Sequence, residues 1–499
     1  MFPLAGNGKL LLRSYLWAMS PVSNIKHAFL SEIRQFFGFE PVKDQLQVMQ
    51  ELVDFTFSDT GNGVYILSGY AGTGKTTLLG AFVKGVHKMR KKTVLLAPTG
   101  RAAKVLSSRS GKQALTIHKR IYRKETVAGG GMRLAVSPNL SKDTLFIVDE
   151  ASMIGDFSLD NDGAVSGRNL LEDLVSYVFS GPGNQLIFVG DEGQLPPVGS
   201  DFSPALNKEY LANYFPQLHI SGFKLTKVLR QAEDSDILLN ATLLRSAPEG
   251  SFPSIRLNKR ADLISVHGGD LQDELESSYS KFGSDETIII TRSNKRANMY
   301  NQQIRSRILW FEEDLCGGDM LMVVKNNYFW LDEKSEAGFI ANGEILKVMR
   351  ITKRETMYGF DFARARVQLV DYPMAGDFEV ILLVDTLMVE APALPRDRMK
   401  QLFFEIEEEY QCEKNKRKRY ERIMKDPYFN ALQVKFAYAV TCHKSQGGQW
   451  ASVFLDHGYL TEELLDASFF RWLYTGFTRA SERLCLVNFD PHFFPDRES

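Results

Sequence analysis

One run of eight residues has the composition of a phosphate-binding loop. Gly69–Thr76 reads GYAGTGKT and fits the pattern GxxxxGK[ST], between an apolar run and a helix-compatible stretch from Thr77. Such glycines let backbone N–H groups curl around phosphate oxygens, while Lys75 reaches the outer phosphates and the Thr76 hydroxyl suits Mg²⁺. We therefore expect ATP and Mg²⁺ to bind here. The predicted ligands are Gly69, Ala71, Gly72, Thr73, Gly74, Lys75, Thr76 and Thr77.

Two later apolar runs also end in residues suited to this chemistry. Asp149 and Glu150 follow the run 145–148, and ligands of open α/β sheets collect at the carboxyl ends of strands. Asp149 suits the Mg²⁺ ion, and Glu150 suits deprotonation of an attacking water. An Asp-Glu pair alone is more often a surface turn, so the assignment of these two roles depends on the phosphate-binding loop upstream. Gln194, on a proline-stiffened turn after the run 186–189, suits sensing of the γ-phosphate.

Short aliphatic runs must form the sheet that positions these residues. They alternate with helix-compatible stretches, which predicts parallel sheets wrapped by helices and two α/β units. The first set comprises Val64–Gly69, Thr93–Ala97, Leu145–Asp149 and Leu186–Asp191. The second set comprises Thr287–Thr291, Lys435–Thr441, Ser452–Asp456 and Arg483–Val487, with a helix expected within Leu464–Ala480.

Two segments break this alternation. Ile121–Val136, with three glycines at its centre, predicts a β-hairpin inserted in the first unit. The region of residues 344–432 contains alternating runs that predict a small β module. It ends in a charged helical stretch with Glu405–Glu409 and Lys414–Arg419, which is typical of a solvated face or a flexible arm.

Composition limits the function classes. The 499 residues are 44% hydrophobic and carry 60 basic and 61 acidic side chains, so any nucleic-acid site must be a local basic track. About three domains of roughly 150 residues are expected. The four cysteines and eight histidines lack metal-ligand spacing, which argues against a zinc site. No apolar run reaches membrane-spanning length, and Arg13 interrupts the apolar start, so we expect a cytoplasmic protein with no membrane partner.

A set of ordered motifs resembles the superfamily 1B DNA helicases of the RecD/Dda-like branch. The resemblance extends from about residue 41 to residue 488. It rests on Gly69–Thr76, Ala97–Ala103, Thr116–His118, Asp149–Met153, Gly190–Pro197, Leu225–Gln231, Tyr438–Gly447 and Tyr474–Ala480.

The resemblance implies an α/β fold of two RecA-like P-loop domains in tandem. It places a β-hairpin insertion in the first domain and a small Src-homology-type β-barrel insertion in the second. The expected boundaries are 41–220 for the first domain, with the hairpin at about 119–142, and 221–343 with 433–499 for the second. The insertion with its charged helical arm would span 344–432, and residues 1–40 would form an extension of unknown role.

The resemblance also implies roles for individual residues. Gln45 would read adenine, Gly447 would join the nucleotide site, and Arg230 and Arg479 would be arginine fingers beside Lys75, Glu150 and Gln194. The residues expected on DNA are Pro98, Thr99, Gly100, His118, Thr441, His443, Lys444 and Ser445. In the family the hairpin acts as a wedge, for which Tyr122 or Met132 would be the apolar tip.

Two positions depart from the family pattern. Gly448 and Gln449 follow Gly447 at positions where many relatives carry Glu. Binding of the nucleotide ribose by a carboxylate is therefore in doubt. Leu229 precedes Arg230, so no aromatic residue is evident there to stack on adenine.

The implied function is an ATP-dependent DNA helicase moving 5′→3′ on single-stranded DNA and unwinding forks. Its motor would be complete in a monomer, with other replication or repair proteins as further partners. The alternatives are a single-stranded DNA translocase, an RNA-directed helicase, or a catalytically weak helicase-like binding subunit. The retained catalytic residues argue against the last of these. A clamp loader or nucleotide kinase would not explain the last two motifs.

Overall fold

The computed structural model of the protein describes residues 21–58, 61–126, 132–156, 158–159, 165–166, 169–228, 235–245, 252–258, 262–331 and 339–494. Within these residues the chain forms two α/β domains, each built around a parallel sheet, and a closed β-barrel. A short hairpin extends from the first domain. The predicted fold class of two tandem RecA-like domains with a hairpin and a barrel inserted is therefore confirmed.

The first domain has a six-stranded sheet. In chain order its elements are α1 (Pro21–Phe37), α2 (Lys43–Thr56), β1 (Gly63–Gly69), α3 (Lys75–Lys88), β2 (Lys92–Ala97), α4 (Gly100–Ser110), β3 (Ala114–Thr116), α5 (Ile117–Ile121), β4 (Tyr122–Thr126), β5 (Met132–Val136), β6 (Thr144–Val148), β7 (Ser158–Leu159), β8 (Val165–Ser166), α6 (Leu170–Phe179), β9 (Gln185–Gly190), α7 (Lys208–Tyr214) and β10 (His219–Leu225). The strand order is β10-β1-β9-β6-β2-β3, all parallel. Strands β1, β6 and β9 are buried along their whole length, as expected for a sheet covered by helices on both faces.

Both ends of this domain lie outside the predicted bounds. Helix α1 falls in the supposed extension, yet it packs Phe29, Ile33 and Phe37 into the core of the first domain. At the other end, β10 pairs with β1 through Leu225, so the boundary predicted at residue 220 falls inside a strand. Its hydrogen bonds to β1 assign β10 to the sheet of the first domain.

The hairpin of β4 and β5 pairs in antiparallel register, with Thr126 opposite Met132. Tyr122, at its base, is 8% exposed and its hydroxyl donates to Asp173 Oδ2 on α6 at 2.7 Å. The prediction that Tyr122 is the wedge tip is therefore wrong, because this ring belongs to the core. The side chain of Met132 lies outside the described part of the chain.

The second domain begins with α8 (Asp236–Leu244), β11 (Leu263–Val266), α9 (Leu271–Phe282), β12 (Thr287–Thr291) and α10 (Asn294–Gln303). The barrel follows, with β13 (Met320–Val323), β14 (Ile345–Met357), β15 (Phe360–Leu369), β16 (Asp377–Leu383), α11 (Asp385–Met388), α12 (Arg396–Glu409), α13 (Lys416–Met424) and β17 (Leu432–Phe436). The domain closes with β18 (Ala439–Thr441), α14 (Cys442–Ser445), β19 (Trp450–Asp456), α15 (Ala467–Phe477) and β20 (Ala480–Val487). Its parallel sheet has the order β11-β20-β19-β12-β18.

The barrel is larger than the predicted insertion of 344–432. It closes in the order β13-β14-β15-β16-β17, so β13 belongs to it although it precedes residue 344. The run predicted as one strand, Lys435–Thr441, is divided between barrel strand β17 and sheet strand β18.

The charged helical stretch lies between barrel strands β16 and β17 and is not a free arm. Leu402 and Ile406 of α12 and Ile423 of α13 are buried with Phe360 and Phe362 of the barrel. The charged side chains therefore form the outer face of two helices whose inner faces pack on β15.

A buried carboxyl group lies where the barrel meets the first domain. Glu344 is 3% exposed, and its Oε2 accepts from the Ala341 N–H at 2.9 Å. Its Cγ would lie 3.6 Å from a Cβ at Gly100, the first residue of α4. The groups facing it are the Asp371 carboxylate, which is paired with Lys104 at 3.6 Å, and the Lys119 ammonium.

Glu344 predicts a pH-dependent stability. Burial raises the pKa of this carboxyl from 4.5 to about 8; the charge of Asp371 adds to the rise, while the Ala341 N–H and Lys119 oppose it. The folded state therefore keeps a proton that the unfolded chain loses, and stability falls as pH rises through that window. We expect Glu344→Gln to lessen the fall of the thermal midpoint between pH 6 and pH 9 by several degrees, measured by circular dichroism. Glu405→Gln, at an exposed position of α12, should follow the wild type, and equal slopes for all three proteins would contradict the assignment.

Candidate nucleotide and nucleic-acid site

The phosphate-binding loop connects β1 to α3 at the carboxyl edge of the first sheet. Gly72 and Gly74 have φ of +76° and +82°, a conformation that a side chain disfavours, and Gly74 is the N-cap of α3. The Thr73 hydroxyl donates to Tyr70 O at 2.7 Å and fixes the loop. Because α3 begins at Lys75, its free N–H groups and helix dipole face the loop, as phosphate binding requires.

Lys75 folds back over its own loop. Its ammonium donates to Gly69 O at 2.5 Å and to Tyr70 O at 2.9 Å. The same nitrogen lies 3.9 Å from Asp191 Oδ2. A phosphate group would have to compete for Lys75 with two carbonyl oxygens and one carboxylate.

Asp149 and Glu150 follow β6, as predicted. Asp149 Oδ1 accepts from the Glu150 N–H at 2.9 Å, and Glu150 has a left-handed φ of +53°. Burial, with the Glu150 charge adding to it, raises the pKa of Asp149 to about 7. A cation would relieve this cost, and a carboxylate with the Thr76 hydroxyl is an oxygen donor set that fits Mg²⁺, with phosphate and water completing its shell.

Gln194 lies after β9 with an unused acceptor. The residue is 5% exposed, and its Oε1 has no hydrogen-bond partner among the described residues. Its neighbour Leu195 is held by the second domain, because Leu195 N–H donates to Thr475 Oγ1 at 2.8 Å and Gln446 Nε2 donates to Leu195 O at 2.6 Å. The predicted γ-phosphate sensor therefore lies at the domain interface.

A cleft of about 700 Å³ separates the domains beside Gln194. From the first domain it is lined by Tyr70 and Lys224, and from the second by Arg245 and Tyr474. The Arg245 guanidinium lies 3.9 Å from the centre of the Tyr70 ring, and its Nε and Nη1 are buried without a partner among the described atoms. This cationic contact joins the phosphate-binding loop to the end of α8.

Arg479, one of the two predicted arginine fingers, is bonded within its own domain. Arg479 is 2% exposed, and its three guanidinium nitrogens donate to Gly448 O, Thr475 O and Thr478 Oγ1 at 3.0–3.2 Å. These bonds stay within the second domain, so Arg479 would have to leave them to reach a nucleotide. Arg230 lies outside the described residues.

Gln45 braces the phosphate-binding loop. It is 1% exposed, its Nε2 donates to Thr73 O at 3.1 Å and its Oε1 accepts from Val42 N–H at 3.1 Å. Both ends of the amide predicted to read adenine are thus engaged. Gly447, expected at the nucleotide, instead lies against Thr99, since a Cβ there would be 2.9 Å from Thr99 Oγ1.

Seven of the eight residues predicted on DNA form two groups, at the start of α4 and around α14, and His118 lies on α5. Pro98 and Thr99 precede α4, which begins at Gly100, and Thr99 Oγ1 caps the helix by accepting from Ala102 N–H at 3.2 Å. In the second domain Thr441 precedes α14, which begins after the carboxyl end of β18. The contact between Gly447 and Thr99 brings these two motifs together across the domain boundary.

Four of the predicted DNA residues show different degrees of exposure. His443 is exposed and Lys444 is half-buried, and burial lowers the pKa of the Lys444 ammonium. Ser445 is fully buried and its hydroxyl donates to Cys442 O at 2.8 Å within the second domain, so its contact with DNA stays a prediction. His118 is half-buried with its ring 5.5 Å from that of Tyr122.

Several residues that join the two domains were not singled out from the sequence. Asp191 follows β9 directly, as Asp149 follows β6, and that position was a usable signal. Tyr474 and Arg101 lie within motifs of the family resemblance but were assigned no role, and Arg245 gave no local signal. Arg101 stacks on Trp450 at 4.1 Å and donates to Gln449 O at 2.7 Å.

Comparison with known proteins agrees with this geometry. Residues 43–266 match the AAA domain family and residues 436–487 match the UvrD-like helicase C-terminal domain, together more than half of the chain. The chain is 26% identical over 314 residues to the ATP-dependent DNA helicase dda of Enterobacteria phage T4, covering 60% of this chain and 64% of that protein. It is 30% identical over 217 residues to the ATP-dependent RecD2 DNA helicase of Deinococcus radiodurans, covering 43% and 25%. It thus spans less than two thirds of the length of either relative.

Among solved structures, the Pif1 helicase from Bacteroides in complex with ADP-AlF3 and ssDNA matches with a TM-score of 0.47. Its sequence identity is 15%, and the match covers 91% of this chain and 94% of that chain. Among the described residues, no helix combines the length and the apolar character that crossing a bilayer needs.

The fold and the site define a P-loop NTPase of two RecA-like domains, with the nucleotide loop in the first domain facing a helicase-type second domain. The UvrD-like C-terminal match and the two helicase relatives confirm the resemblance drawn from the motifs. These matches, with the ordered motifs, support the assignment of the chain to the superfamily 1B helicases.

Proposed function

We propose that the protein is an ATP-dependent DNA helicase that moves 5′→3′ on single-stranded DNA and separates the strands of forks. The observation that carries the proposal is the cleft between the domains, with Tyr70 and Gln194 on one side and Arg245 and Tyr474 on the other. A cleft whose two walls belong to different domains lets nucleotide binding and loss change the angle between them. Both named relatives are described as ATP-dependent DNA helicases.

The proposed chemistry follows from the ends of β1 and β6. Lys75 would leave Gly69 O and Tyr70 O for the outer phosphates, and the Glu150 carboxylate would take the proton of the attacking water. Gln194 Oε1, buried and without a partner among the described residues, would orient that water or report the γ-phosphate. When bound, Mg²⁺ held by Thr76 and Asp149 would supply neutralising charge to the phosphates.

Coupling to domain motion would come from arginines of the second domain. A guanidinium stabilises the transition state only where the cleft has closed on the nucleotide, and such an arginine is worth about 10³- to 10⁵-fold in turnover. Arg479 would act after leaving its bonds to Gly448 and Thr475, and Arg230 would join it. Because both walls of the cleft belong to one chain, the motor would be complete in a monomer.

The proposed DNA track crosses both domains at Thr99 and Thr441. Hydroxyls, an exposed imidazole and the half-buried ammonium of Lys444 suit phosphate oxygens, which carry no sequence information. With a formal net charge of -1, the chain carries no overall excess of positive charge to hold DNA tightly at every step. The hairpin of β4 and β5 would separate the strands at the fork.

Unwinding of matched tailed duplexes tests the proposal. We expect ATP-dependent strand displacement from a duplex with a 5′ single-stranded tail and at least about tenfold less from one with a 3′ tail, measured by fluorescence of a released strand. Displacement only from the 3′ tail would reverse the polarity. ATP hydrolysis stimulated by single-stranded DNA without displacement would indicate a translocase, and stronger stimulation by RNA would indicate an RNA-directed enzyme, since the 2′-OH is the distinguishing group.

A further inference from the structure

A tyrosine of the second domain bonds to two groups at the phosphate-binding loop. The Tyr474 hydroxyl donates to Asp191 Oδ2 at 2.6 Å and accepts from Ala71 N–H at 2.8 Å. Tyr474 lies on α15 and is 2% exposed, whereas both of its partners belong to the first domain. One hydroxyl therefore joins the loop, the residue after β9 and the second domain.

Asp191 needs this hydroxyl because it is almost fully buried. It is 1% exposed, its Oδ1 accepts from Gly193 N–H at 2.9 Å, and its Oδ2 is the atom bonded to Tyr474. The Lys75 ammonium lies 3.9 Å from the same Oδ2. A buried carboxylate that loses a donor gains by drawing in the cation beside it.

Lys75 thus has two alternative partners. It can pair with Asp191, or it can serve the phosphates of a nucleotide. Burial, and then the charge of Asp191, raise the pKa of Tyr474, so its hydroxyl keeps the proton that it donates. While the hydroxyl donates its hydrogen bond to Asp191 Oδ2, the attraction between Asp191 and Lys75 is weakened.

We infer that Tyr474 is a positioning residue that keeps Asp191 from capturing Lys75, and so makes nucleotide affinity depend on the seating of the second domain. With α15 against the loop, Lys75 is available to phosphate. When the second domain swings away, the bonds to Asp191 and Ala71 break together, Asp191 takes Lys75, and the nucleotide is released. The inference deepens the proposed function and rests on it in one respect, the use of Lys75 for nucleotide phosphates.

Nucleotide binding without DNA tests the inference. Tyr474→Phe removes the hydroxyl and keeps the ring, so we expect the Kd for a fluorescent ADP analogue with Mg²⁺ to rise about tenfold or more. Tyr438→Phe is the matched control, because the buried Tyr438 hydroxyl likewise donates to a carboxylate, Asp319 Oδ1 at 3.0 Å, and accepts a backbone N–H, that of Met320 at 3.1 Å. That pair lies at the barrel, so its loss should leave the Kd unchanged.

The double variant Asp191→Asn, Tyr474→Phe separates positioning from simple packing. An uncharged amide in place of the Asp191 carboxylate cannot capture Lys75, so we expect the double variant to recover most of the lost affinity. A double variant as weak as Tyr474→Phe, or a Tyr474→Phe protein that binds like Tyr438→Phe, would overturn the inference. If Tyr474→Phe does not fold, Asp191→Asn alone decides, because it should bind at least as tightly as wild type and weaker binding would refute the idea. Failure of the wild-type protein to bind the analogue would instead refute the proposed function.

Discussion

Replacing Lys75 with alanine should abolish strand displacement and reduce ATP turnover by at least about 10²- to 10³-fold, the loss typical of removing a group aimed at transition-state charge. The loop itself should keep its shape, because Gly72, Gly74 and the bond from Thr73 to Tyr70 O set it without the lysine. The substitution deletes the ammonium that now bonds Gly69 O and Tyr70 O and would serve the outer phosphates. Phosphate release and gel-based unwinding on the same 5′-tailed fork would measure both losses.

A matched control lies on the same helix. Lys84 is also on α3 but is exposed, so Lys84→Ala removes a positive charge from the same element without touching the loop. We expect its turnover and unwinding to equal those of the wild type. Unwinding by the Lys75→Ala protein at more than a few per cent of the wild-type rate would show that this loop does not drive the motor.

The local parts of the fold and site could be predicted from the sequence. The loop, the Asp149–Glu150 pair and the predicted strand of residues 287–291 each depend on a short pattern whose physics is contained in neighbouring residues. The parallel order of the strands follows from their buried aliphatic composition and from the helices between them. The closed barrel was expected from the family resemblance.

The contacts between distant segments could not be predicted in this way. Asp191 and Tyr474 are 283 residues apart, and nothing in either local sequence says that the second domain seats a hydroxyl on the first. Tyr122 looked like an exposed hairpin residue because alternation along a strand does not say which face another helix covers. Here α6 covers it, and Asp173 accepts from its hydroxyl.

The predicted bounds of the barrel and of the first domain differ from the observed ones for a related reason. Strand β13 is four residues long and lies more than twenty residues before β14, so only its pairing with β14 and β17 assigns it to the barrel. Helix α1 has an apolar face formed by Phe29, Ile33 and Phe37, but no motif marks it. An apolar helix face of this kind can be assigned to a domain only when the core on which it packs is known.

Replacing Glu150 with glutamine should separate nucleotide binding from hydrolysis. The amide keeps the size of the side chain but cannot accept the proton of the attacking water, so turnover should fall about 10²- to 10⁴-fold, the usual contribution of a general base. ATP should still bind, because the loop and Lys75 are unchanged. Removing the Glu150 charge also relieves its repulsion of Asp149, whose pKa is raised by burial and by that charge, so affinity for Mg²⁺ and ATP should not weaken.

The Glu150→Gln protein should therefore hold the domains closed on ATP. Binding of single-stranded DNA, measured by fluorescence anisotropy, should respond to ATP in this variant without decaying as ATP is consumed, whereas the wild type should show the response only transiently. Glu172→Gln, at an exposed glutamate of α6 in the same domain, should behave as the wild type. Turnover within about threefold of wild type in Glu150→Gln would assign the base to another residue. Loss of ATP binding would mean that Glu150 holds the nucleotide rather than the water, and either result would change the chemistry proposed at the end of β6.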